Sequence, residues 1–257
     1  MIPFYLISIS FLTGLSGPDG LYAAGSGIYI CEETAGRVLF VTYEGDVTVA
    51  AEGLFSPEGI CVTEDGRILV VEDTESGRLL EIYNGSVNTI ADSLCCPEGV
   101  TVDIHGEIWF TTGGIQGGCL FTSLWRVVNG RPVVECSLPS VFSFSDLEAA
   151  EDGMIYICSE SSGIAGDVAV FRFDPVTDSL IPFVTGITAC EGIGMTDGRF
   201  PFYITGESGS VHRVDSTGRS TLLDHNFSTV EDVVVQGNHL FVSEDGTGSI
   251  IRLELNE

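Results

Sequence analysis

An all-β fold is what this sequence predicts: a six-bladed β-propeller with four antiparallel strands per blade, its ring closed by an N-terminal strand that completes the last blade. Three observations carry that expectation. Apolar residues alternate at period two along most of the chain, interrupted by Asp-Gly and Asn-Gly pairs, which is the pattern of strands joined by tight hairpins. A unit that opens on a carboxylate, clearest in residues 57–85, recurs with a period near 40 residues, the length of a four-stranded blade. Finally, the two ends of the chain are each an incomplete unit, and each supplies what the other lacks.

The opening acids set the register: Asp19, Glu58, Glu98, Glu148, Glu191 and Glu231, separated by 39, 40, 50, 43 and 40 residues. Each is followed by an apolar run and a first turn: Gly25-Ser26-Gly27, Asp65-Gly66, His105-Gly106, Asp152-Gly153, Asp197-Gly198 and Gln236-Gly237-Asn238. Such residues tolerate the positive φ of tight hairpins. Later turns fall at Glu44-Gly45, Asn84-Gly85, Asn129-Gly130 and Thr217-Gly218, whereas the fourth unit uses the longer stretch 174–178. The third unit is the longest and carries a glycine-rich insertion, 113–119.

The sixth unit stops after three strands. Its missing strand is sought at the N-terminus, because residues 11–20 match residues 183–192 almost position for position, and the latter end one unit and open the next. Pairing the termini removes the free edges that an open ring would expose. The apolar opening also admits a second reading, a secretory signal, although it lacks the leading Lys or Arg and is too short to span a membrane. The cytoplasm is therefore the expected location, with secretion or a periplasmic site as the alternative if residues 1–17 are a signal. One domain over 1–257 accounts for the whole chain.

The 37 acidic and 10 basic residues leave a formal charge of -27, and every basic residue is Arg. This balance argues against nucleic acid and anionic membrane as partners, since both need clustered positive charge. It favours metal cations and a neutral or cationic small-molecule substrate, bound by a monomer. Eight cysteines are irregularly spaced and form no zinc motif. Cys31, Cys61 and Cys158 lie in apolar runs, where a thiol acts as a small hydrophobe, while the adjacent Cys95 and Cys96 are the pair to test for oxidation.

A propeller brings the start of every inner strand to one mouth, so Asp19, Glu58, Glu98, Glu148, Glu191 and Glu231 are expected to ring the axis. Glu32, Glu72, Glu160, Glu207 and Glu244, which close second strands, are expected on the same rim. Converging carboxylates raise one another's pKa unless a cation compensates, and hard oxygen ligands are what Ca²⁺ or a similar divalent ion takes. Such an ion polarises a carbonyl, and a spare carboxylate then serves as general base. The four histidines sit in turns, a loop and a third strand, and no serine-hydrolase elbow, phosphate loop or zinc-protease motif is present.

The repeat form, acid-Gly, apolar alternation, Asp-Gly, apolar run, acid, loop, Gly-Arg, resembles the calcium-dependent propellers of the gluconolactonase and senescence-marker-protein (regucalcin) family over nearly the whole chain. It is also similar to NHL-repeat and strictosidine-synthase-like propellers. The first resemblance implies a metal-dependent lactonase or esterase. In it Asp19 stands for the first metal ligand, Glu98, or Pro97 beside it, falls near an asparagine ligand, Glu148 replaces a second asparagine, and Glu191 replaces an aspartate that is ligand and general base. None of the four is the family's own residue type. The strictosidine-synthase-like resemblance implies acid-base work without metal by Glu231, and the NHL-like one a binding propeller that turns nothing over.

Overall fold

A computed structural model describes residues 7–114, 118–160, 167–187, 189–206, 208–224 and 226–255 of the chain. The opening six residues of the alternative signal reading, and Glu207 and His225, lie outside them. Within the described residues, β1 (Ile7–Thr13) precedes blade one, formed by β2 (Pro18–Ala24), β3 (Gly27–Glu32), β4 (Arg37–Thr42) and β5 (Val47–Glu52). Blade two comprises β6 (Pro57–Val62), β7 (Ile68–Glu72), β8 (Gly77–Tyr83) and β9 (Ser86–Leu94). Blade three follows with β10 (Val100–Val102), β11 (Ile108–Thr112), β12 (Phe121–Val128) and β13 (Arg131–Pro139). Blade four has β14 (Phe144–Ala149), β15 (Ile155–Ser159), β16 (Val168–Asp174) and β17 (Ser179–Thr185). Blade five has β18 (Cys190–Thr196), β19 (Arg199–Gly206), β20 (Ser210–Val214) and β21 (Ser220–Asp224). The last blade has β22 (Val230–Gln236), β23 (His239–Glu244) and β24 (Ser249–Glu254).

Each of the six sheets has four antiparallel strands, and the sixth runs β1-β24-β23-β22, so the N-terminal strand does close the ring. Ile7 to Thr13 pair with Glu254 back to Ser249, and Phe11 packs edge-on against Phe241. The core is distributed as one apolar cluster per seam. Ile30 and Leu39 of blade one meet Phe241 of blade six, for example, and Trp109 of blade three meets Phe173 of blade four. Every blade therefore needs both neighbours to bury its faces, and the ring is stable only when complete.

Two devices shape the axis. At the start of inner strands the ladder slips, between Pro18 and Leu21, Pro57 and Ile60, Phe144 and Leu147, Cys190 and Ile193, and Val230 and Val233. Such a bulge leaves residues out of the ladder and re-aims their side chains, here toward the channel. The glycine after the acid allows the next blade to close in: Gly59 N donates to Glu98 O at 2.8 Å, and a Cβ on Gly99 would lie 2.8 Å from Asp146 Cα.

Candidate functional site

The slipped register defines which residue of each blade faces the channel mouth. Pro18, Pro57, Phe144, Cys190 and Val230 are equivalent because they pair with Glu32, Glu72, Ser159, Gly206 and Glu244 at the far ends of their second strands. The next residue is the one that enters the channel: Asp19, Glu58, Ser145, Glu191 and Glu231, with Glu98 completing the set in blade three. These six line one cavity of about 30 Å³, together with the backbone of Gly20, Gly59 and Gly192 and the carboxylates Asp146 and Asp232. That volume accommodates one water or ion and no organic molecule.

Five of the six acids expected at the mouth are thus brought together, and Glu148 is not. Ser145 holds its place, because the bulge in β14 starts at Phe144 and the acid-containing Leu-Glu-Ala stretch lies farther along the strand. Glu148 instead lines a separate, wider cavity of about 750 Å³ toward the first-hairpin end of the channel, among Leu21, Ile60, Val100 and Val234. The signal available in the sequence was the spacing: placing the fourth opening at Ser145 makes the 50- and 43-residue intervals nearly equal.

Neighbouring blades hold the ring in place. Thr111 Oγ accepts from Gly99 N at 2.8 Å and donates to Ser145 O at 2.7 Å; Thr205 likewise links Gly192 N to Glu231 O. Ser145 Oγ donates to Cys190 O at 2.7 Å. Asp232 spans the last seam, accepting from Leu21 N at 2.7 Å, and Asp146 accepts from Ile193 N at 3.1 Å. Sequence reasoning missed both aspartates, which take the glycine position of the repeat.

The expected second rim divides into two positions. Glu32, Glu72 and Glu244 turn away from the axis and are almost wholly buried. Each accepts a backbone N–H from the loop entering its own blade: Ser16 N at 2.8 Å, Phe55 N at 2.9 Å and Ser228 N at 2.8 Å. Their second partners are Arg37, Arg78 and Thr247. These acids lock loops and do not serve the mouth. The residue after each one is the one whose charge reaches the ring: Glu33, Asp73 and Asp245 act electrostatically on Asp19, as Glu160 does on Glu98.

The electrostatics of the mouth are severe. Burial, then the charges of Glu231, Glu33, Asp245 and Asp73, push Asp19 well above the usual carboxylate range. Burial and Glu98 do the same to Glu58, and burial and Glu160 to Glu98. Among the described residues, Glu58 Oε2 is buried without a hydrogen-bond partner, as is Asp73 Oδ1. Burial raises Asp146, which lines both cavities, to about 7, and farther down the channel burial with the charge of Asp146 raises Glu148 to about 8. Among the described residues, His105, His212 and His239 lie outside this cavity.

The cysteines depart from expectation. Cys95 is disulfide-bonded to Cys119, across the base of the glycine-rich insertion, and Cys96 is a buried free thiol. Cys158 lies sulfur to sulfur with Cys190 across the seam of blades four and five, whereas Cys31 and Cys61 are free and buried as expected.

No protein-family model matches this sequence. Nor does any curated protein match it. By structure the chain is similar to a gluconolactonase from Xanthomonas campestris, at TM-score 0.80 and 15% identity over 97% of this chain and 89% of that one. It is also similar to a luciferin-regenerating enzyme, at 0.74 and 14% over 97% and 95%. A virginiamycin B lyase from Staphylococcus aureus follows at 0.67 and 13% over 98% and 99%. At such identities the likeness establishes the six-bladed propeller of these proteins as the fold.

Proposed function

We propose that the mouth binds a hard divalent cation, Ca²⁺ foremost, and that the chain is a metal-dependent hydrolase of a lactone or related ester. The observation that carries this reading is the ring itself: five carboxylates and a hydroxyl, with Asp146 and Asp232 beside them, around about 30 Å³, and Glu58 Oε2 buried and unpartnered among the described residues. Holding that charge without a counter-ion is costly, and Ca²⁺ takes six to eight oxygens in adaptable geometry. Asp19, Glu58, Glu98, Glu191 and Glu231 are the proposed ligands, and Ser145 Oγ, whose proton is committed to Cys190 O, offers lone pairs. When bound, the ion would supply carbonyl polarisation.

The chain's own residues do the remaining work. Glu191 is the proposed general base, taking a proton from the attacking water at the mouth. Asp19, Glu33, Asp73 and Asp245 keep the rim electronegative, which suits a neutral ester and disfavours a carboxylate substrate. Support comes from the gluconolactonase among the similar structures.

The test is calorimetric titration with Ca²⁺ followed by a panel of lactones. Saturable Ca²⁺ binding that is lost in Glu58→Gln and Glu98→Gln, with turnover lost in Glu191→Gln, is the expected result. Absence of Ca²⁺ binding to the intact chain would sink the reading. A second reading is a lyase with Glu231 as its acid-base residue, favoured by the likeness to the Staphylococcus aureus lyase. The histidine-to-alanine form of that lyase is catalytically inactive, however, and the described histidines of this chain are away from the ring. The third, a propeller that binds without turnover, has a counterpart in an auxiliary nutrient binding protein from Bacteroides thetaiotaomicron, at TM-score 0.77 and 14% identity over 98% of this chain and 77% of that one. Retention of a ligand with no turnover would select it.

A further inference from the structure

Beside the acidic mouth, in the loop that leads into Glu98, three sulfurs converge. The Sγ atoms of Cys95, Cys96 and Cys119 all lie within 4.8 Å of one another. Cys95 and Cys119 are disulfide-bonded, and their Cα atoms are 6.2 Å apart. Cys96 is not part of that bond, and nothing in disulfide architecture calls for a third sulfur there. Its thiol interacts with the Asp73 carboxylate, and Asp73 Oδ1 is buried and, among the described residues, without a partner. The loop is well anchored, since Cys96 N donates to Thr74 O at 3.0 Å and Gly113 N donates to the carbonyls of Cys95 and Cys96 at 2.8 Å each.

Three sulfurs, with the Asp73 carboxylate against Cys96 but outside their 4.8 Å cluster, supply the donor set of a four-coordinate site for a thiophilic ion once that carboxylate turns toward them. Around a tetrahedral ion with Zn–S bonds of about 2.3 Å, sulfurs stand about 3.8 Å apart, within the spread seen here. The hard ring next door lacks sulfur, so the two sites differ in the metals they select.

We propose that the reduced chain binds a thiophilic divalent cation of the Zn²⁺ class through Cys95, Cys96 and Cys119, with the Asp73 carboxylate as the fourth donor. Reaching that state requires an external thiol: two thiol molecules give two electrons and two protons to the Cys95–Cys119 bond and leave as their own disulfide. The three protein thiols then lose their protons to solvent as the ion binds. The oxidised chain lacks two of the three thiolates and does not hold the ion. The site is independent of the Ca²⁺ reading, because none of its donors is among the residues that line the ring cavity.

The experiment titrates Cd²⁺, as a spectroscopic probe, into the full chain before and after reduction with a dithiol that is then removed. Excess Ca²⁺ is present throughout to occupy the ring carboxylates. A cadmium-thiolate absorbance that saturates at one ion per chain, and only after reduction, is expected. Cys96→Ser keeps the Cys95–Cys119 bond during folding, and Cys96→Ser and Asp73→Asn are expected to weaken binding by at least about tenfold. Cys61→Ser and Cys136→Ser should bind as the parent does. The proposal is overturned if the reduced parent shows no thiolate band, if Cys96→Ser binds Cd²⁺ as tightly as the parent, or if the reduced chain unfolds even with Zn²⁺ present.

Discussion

Replacing Glu148 by Gln tests whether the channel below the ring stores the charge strain described above. In the native chain burial and Asp146 raise this carboxyl from its ordinary value of 4.5 to about 8. A raised acid binds more protons folded than unfolded, so its penalty is absent below the unfolded pKa and grows as pH rises toward the folded one. Linkage over that interval amounts to under about 1 kcal/mol at pH 5 and about 3 kcal/mol at pH 7. Gln keeps an acceptor for the Met195 N–H that the carboxylate now takes and cannot ionise. The variant should therefore gain on the parent by about 2 kcal/mol between pH 5 and pH 7, whatever constant offset the amide introduces. Urea unfolding at a series of pH values, with Ca²⁺ held constant, measures this directly, because the ring acids titrate in both proteins and cancel. Parallel stability curves for the two proteins would refute the assignment.

Ca²⁺ affinity should rise with pH, because Asp19, Glu58 and Glu98 are held above the usual range and protons compete for the same oxygens; titration at several pH values checks it. Glu72→Ala strands Phe55 N and Arg78 together, and thermal unfolding should show a loss of about 2–4 kcal/mol. Thr111→Val removes the bridge between Gly99 N and Ser145 O, costing about 1–3 kcal/mol by urea unfolding and loosening the ring enough to weaken Ca²⁺ binding. Deleting residues 1–13 exposes the edge of β24 and uncovers Phe241, and should turn a monodisperse protein into an aggregating one by light scattering.

Much of the fold was legible from local pattern. The turn pairs required positive φ, and Asn84-Gly85 and Asn129-Gly130 adopt it at both residues. The likeness of residues 11–20 to 183–192 reflected a real equivalence, since β1 and β17 are both outermost strands leading into a new blade. The site was legible only in part. Asp19, Glu58, Glu98, Glu191 and Glu231 each sit beside the residue where the ladder slips or the inner strand begins, and four of them announce it with Pro, Cys and Gly neighbours. Blade four has Phe-Ser-Asp-Leu-Glu, where the acid that most resembles the motif is not the one in the bulge. Glu32 and Glu33 illustrate the same limit: adjacent acids at one strand end, of which one locks a loop and the other acts electrostatically on Asp19 at the mouth.

What sequence alone determined is the repeat, the strand count and the closure, because these follow from periodicity and turn chemistry acting over a few residues. What only the tertiary structure decided is which carboxylates meet. Register slips are set by contacts with the second strand and the adjoining blade, and they turn a side chain into or out of the channel without changing its neighbours in sequence. The pairing of Cys95 with Cys119, and the approach of Cys96 to Asp73, are of the same kind: they join residues whose proximity exists only once blades two and three are packed.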